Sequence, residues 1–79
     1  MIVETESGSI YQIDGMRFWR SNDEAPLRRD GQWLQLLEIP CPTIGLPMVL
    51  VVEPLALEAN ATFRHTTMVT RIDYMVEEM

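Results

Sequence analysis

A series of short apolar/polar alternations separated by tight-turn signals constrains this chain more than anything else in it. The pattern is clearest in Gly8-Ser-Ile-Tyr-Gln-Ile-Asp-Gly15, which runs directly into Met16-Arg-Phe-Trp-Arg20. Alternation with a period of two places successive side chains on opposite faces of an extended strand. In the first segment Ile10, Gln12 and Asp14 point one way and Tyr11 and Ile13 the other. In the second, Met16 and Phe18 oppose Arg17 and Trp19. Ile2 to Glu6 carries the same β-branched bias, and Ser7-Gly8 reads as the hairpin turn that joins it to the next strand. Asp14-Gly15 supplies a second turn, because both residues tolerate the positive φ that such turns need.

The rest of the chain extends this reading. Residues 21–31 are polar, charged and proline-bearing, which predicts an exposed loop closed by Asp30-Gly31. Gln32 to Ile39 returns to alternation, with Trp33, Gln35, Leu37 and Ile39 on one side and Leu34 and Leu36 on the other. Its eight-residue length, bounded by Gly31 and Pro40, favours a strand over a helix. Pro40 to Pro47 carries three prolines without ladder donors and reads as an extended connector. Met48 to Glu53 is apolar on both faces and is expected to be the core strand, with Pro47 and Pro54 guarding its ends. Leu55 to Ala61 reads as a loop or one helical turn, and Thr62 to Asp73 as a last strand or a bent pair. For Tyr74 to Met79 a helical turn and a frayed tail are equally compatible with the pattern.

These segments define one all-β domain over residues 1–79. The expected architecture is a small barrel of SH3-like or OB-like size, or an antiparallel roll, with five to seven short strands. A short C-terminal helical turn is the one departure allowed for. At 79 residues a domain buries only about 60–65% of the surface its unfolded chain exposes, so additional stabilisation is expected. A single cysteine, Cys41, excludes an intrachain disulfide, and a single histidine, His65, excludes a Cys/His zinc cage. Self-association into a homo-oligomer is the remaining route, and open strand edges favour it.

Composition narrows the chemistry by exclusion. The net charge of −6 works against general binding to nucleic-acid backbones. All six basic residues are arginine, as in proteins of GC-rich genomes. The longest apolar run, Met48 to Val52, is far short of the ~20 residues that span a bilayer. The N-terminal residues Met1-Ile-Val-Glu-Thr-Glu carry neither the basic charge nor the long apolar stretch of an export signal. A cytoplasmic location without membrane association is therefore expected. Glycines are too sparse for a phosphate loop. Cys41 lies in a Pro-Cys-Pro connector with no evident group to activate it, and His65 in a threonine-rich strand. Acid pairs such as Asp23-Glu24 and Glu77-Glu78 read as solvated charge. No catalytic residue, cofactor site or metal site is expected, and the chain is read as a non-enzymatic protein.

What remains is a set of arginines and tryptophans. Arg17, Trp19, Arg20 and Trp33, joined by Arg28 and Arg29 of the charged loop, form the candidate partner-binding surface. Tryptophan beside arginine is a recurrent composition of interface hot spots. The same residues on a small barrel are suited to stacking on single-stranded bases, which makes nucleic acid the alternative partner, disfavoured by the acidic total.

The cues at 8–15, Gly-Gln-Trp-Leu at 31–34, Ile-Gly-Leu-Pro-Met-Val-Leu at 44–50 and Arg-His-Thr-Thr-Met-Val-Thr-Arg-Ile at 64–72 together resemble small uncharacterised proteins encoded by bacteriophages of actinobacteria. The resemblance covers most of the chain but rests on turns and strands. It implies a phage origin, action in the host cytoplasm, and a role as an interaction factor or a minor virion accessory protein. It transfers no functional residue.

Overall fold

A computed structural model describes residues 1–22, 30–54 and 62–74. Among these residues the chain is all β. Its strands are β1 (Ile2–Thr5), β2 (Ile10–Asp14), β3 (Arg17–Ser21), β4 (Leu34–Gln35), β5 (Pro47–Val52) and β6 (Thr62–Asp73). They form one antiparallel sheet in the order β4-β3-β2-β1-β6-β5. Of the predicted candidates for helix, 55–61 lies outside the described residues, as does all of 74–79 except Tyr74, which is in no helix or strand.

The first three strands are the meander expected from the alternation. Glu6, Ser7 and Gly8 make the β1–β2 loop, closed by hydrogen bonds from Thr5 N–H to Ser9 O and from Gly8 N–H to Thr5 O, both 3.0 Å. Asp14 pairs with Arg17, so the β2–β3 loop consists of Gly15 and Met16. This is one residue later than Asp14-Gly15. Gly15 has φ +60° and occupies the first central position, the place a two-residue type II′ loop reserves for glycine.

β6 is long because it serves two partners. Its C-terminal half pairs with β1 and its N-terminal half with β5, with register shifts near Glu4/Thr5 and Pro47/Val49. Such irregularities bend a strand and increase its twist, which curls an open sheet towards closure. Closure follows at the other edge. Leu36 bridges Val52, with Leu37 N–H donating to Val51 O (2.8 Å) and Glu53 N–H to Gln35 O (3.0 Å). The two ends of the sheet therefore meet, giving a small barrel-like fold.

The interior is lined by alternate residues of every strand. Val3, Phe18, Leu36, Leu50, Val52 and Val69 are fully buried, joined by Tyr11, Ile13, Leu34 and Met48. Val49 and Val51 face outward, so β5 is apolar on both faces but buried on only one. The predicted exposed loop also differs at its ends. Asn22 is buried, its side-chain amide donating to Ser9 Oγ (2.9 Å) and Ser7 O (3.2 Å). Asp30 is held against the barrel by Arg20. Residues 23–29, the middle of that loop, lie outside the described residues.

Candidate functional site

The predicted arginine–tryptophan surface divides into three. Arg17 and Trp33 are brought together. The Arg17 guanidinium lies over the Trp33 ring at 4.3 Å from its centroid and donates to Asp14 at 3.1 Å. Trp33 is 42% exposed. Trp19 shares the outward face of β3 with Arg17, opposite Gln12, and is half-buried. Arg20 is elsewhere, and its assignment to the exposed surface is corrected. One residue beyond Trp19, it shares the inward face with Phe18 and is only 6% exposed. There it pairs with Asp30 and donates to Ser9 Oγ (2.9 Å) and to the Tyr11 hydroxyl (3.3 Å). A charge this deep is retained because it is paired and hydrogen-bonded. Its task is to tie the loop end to the barrel. Arg28 and Arg29 lie outside the described residues.

A second face, not predicted from the sequence, concentrates exposed apolar groups. On the outside of the closure, half-buried Val51 of β5 lies between Leu37, just past β4, and Phe63 of β6, linked by the Leu37–Val51 hydrogen bond and the Val51–Phe63 pairing. Phe63 is 63% exposed and Leu37 44%. Two residues along β5, Val49 stands opposite His65 and is 45% exposed. Ile39, 71% exposed, lines the same groove as Val49.

Between these rows the barrel wall opens. The Leu36–Val52 register, continued, would place Ile39 against Val49 and Cys41 against Pro47. The chain instead bends at Leu37 and Glu38 and leaves β5. The result is a groove of about 310 Å³ between residues 38–41 and β5, lined by Glu38, Ile39, Pro40, Cys41, Pro47, Met48, Val49 and Val51.

Backbone groups face this groove as well. Along a strand the N–H and C=O of successive residues point to opposite edges. Val51 O accepts from Leu37, so Val49 and Val51 turn their peptide groups towards the groove. Met48 turns the other way and donates to Thr66 Oγ1 on β6 (2.8 Å). Among the described residues, no backbone hydrogen bond from residues 38–41 reaches Val49. Cys41 lies exposed in the groove and no hydrogen bond joins it to His65, which stands across β5.

No three His, Cys, Asp or Glu side chains converge among the described residues, and no helix there is long and apolar enough to cross a membrane. No protein-family profile, curated protein or solved structure matches the chain.

Proposed function

We propose that this chain is a non-enzymatic protein-interaction module that receives its partner on the outward face of β5 and β6. One observation carries the reading: exposed Leu37 and Phe63 flank half-buried Val51 in a single row, with exposed Val49 further along β5 and exposed Ile39 lining the adjoining groove. Apolar residues scattered singly over a surface need no explanation, but contiguous ones in register are the composition of a binding site. The resemblance to phage proteins makes a host or phage protein the expected partner, met in the host cytoplasm or in a virion. Self-association is the competing occupant of this face.

The nucleic-acid reading rests on the exposed Arg17–Trp33 stack. It is the weaker of the two, because Asp14 already engages Arg17 and the chain as a whole is acidic.

Capture by the tagged protein, with identification of what is retained, tests the proposal. A partner lost by the Ile39→Ser/Phe63→Ser variant but kept by Arg17→Ala/Trp33→Ala supports it. Retention of the same partner by both variants overturns it.

A further inference from the structure

We infer that the groove beside β5 receives an extended peptide segment of a partner protein as an added strand, one with small apolar side chains at alternate positions and Arg or Lys at the end beside Glu38. The inference rests on the reading of this face as a protein-binding surface and specifies what enters it.

Three features argue for a strand. The groove occupies the position where the ladder begun at Leu36–Val52 would continue, so the incoming segment takes the register that residues 38–41 vacate. The peptide groups of Val49 and the N–H of Val51 face it, and strand addition satisfies such groups through main-chain hydrogen bonds. The side chains at the groove are Ile39, Pro40, Pro47, Val49 and Val51, which suit alternate aliphatic groups rather than a large ring.

Charge selects the end of the segment nearest the Leu37–Val51 stitch. Glu38 is the single charged residue lining the groove, and Glu53 continues the outward face of β5 beyond Val51. Neither makes a salt bridge among the described residues, whereas Arg17, Arg20 and Arg71 are each paired with carboxylates. His65 stands on the far side of Val49. A second copy would bring another Glu38 and Glu53, on a chain of net charge −6, to the same edge. Complementarity therefore favours a basic partner.

The probe is the peptide acetyl-Arg-Val-Thr-Val-Thr-Val-Arg-amide, titrated into the isotope-labelled chain at low salt and followed by NMR. The Val49 and Val51 amide signals are expected to shift on binding. Two further peptides carry N-methyl groups on all valine amides or on all threonine amides, blocking one edge each. At least one is expected to bind roughly tenfold more weakly, since one blocked edge must face β5. Replacing both arginines with glutamate is expected to weaken binding by a similar factor, and the Glu38→Arg variant to lessen that preference.

Equal binding of the parent and both methylated peptides overturns the added strand while leaving the apolar-face reading intact. Absence of binding up to about 1 mM peptide overturns it too. So does a chain whose groove signals change with its own concentration and not with peptide, which identifies a second copy as the occupant. The reading beneath it falls separately, if the Ile39→Ser/Phe63→Ser variant keeps every captured partner.

Discussion

Leu37 gives its backbone N–H to Val51 O at 2.8 Å, while Ile39, two residues further, makes no such bond to Val49. The barrel wall is thus stitched at one end of β5 and open at the other. The interior needs the stitched end, where Leu36 and Val52 close the core. The open end leaves apolar side chains and peptide groups at the surface.

Leu36→Ala should be among the costliest truncations in the chain. Leu36 is fully buried and comes from the shortest stretch of pairing, so its removal leaves a cavity at the closure. A loss of about 2–5 kcal/mol is expected, against a total of only about 5–15 kcal/mol for a typical domain. Urea unfolding checks this. A change below about 1 kcal/mol would mean that the closure contributes little to the fold.

Arg20→Met is expected to destabilise by about 3 kcal/mol, because it removes the charge paired with Asp30 and the donors to Ser9 and Tyr11. Adding Asp30→Leu should recover part of that loss. A double-mutant cycle in denaturant measures the coupling. By contrast Arg71→Ala, which opens exposed pairs to Glu4 and Asp73, should change stability by no more than about 1 kcal/mol.

Arg17→Ala and Trp33→Ala should leave the fold intact, since both side chains lie outside the core. Neither the wild type nor these variants should be retained on single-stranded DNA at about 50 mM salt. Retention by the wild type that falls steeply with salt and is lost in the variants would favour the nucleic-acid reading.

Much of this architecture was legible in the alternation. The opposition of Tyr11 and Ile13 to Ile10, Gln12 and Asp14 is observed, as is that of Leu34 and Leu36 to Trp33, Gln35 and Leu37, but it stops at the bend, where Leu37, Glu38 and Ile39 are all exposed. The inward position of Arg20 follows from the same parity, two residues after Phe18. Its partner Asp30, 10 residues further along the chain, does not. The outward face of β5 was not legible for a different reason. Periodicity shows that Val49 and Val51 oppose Leu50, but what covers them depends on where the chain after Leu37 runs. The bend at Leu37 and Glu38 decides that, and it leaves the face open.

Amide hydrogen exchange at Val49 and Val51 tests the central claim most directly, in the free chain and in complex with a captured partner. Rapid exchange is expected at both amides in the free chain, slow exchange at Leu50 and Val52, and protection of Val49 and Val51 on binding. Val49 and Val51 already as protected as Leu50 in the free chain, or unchanged in the complex, would contradict it.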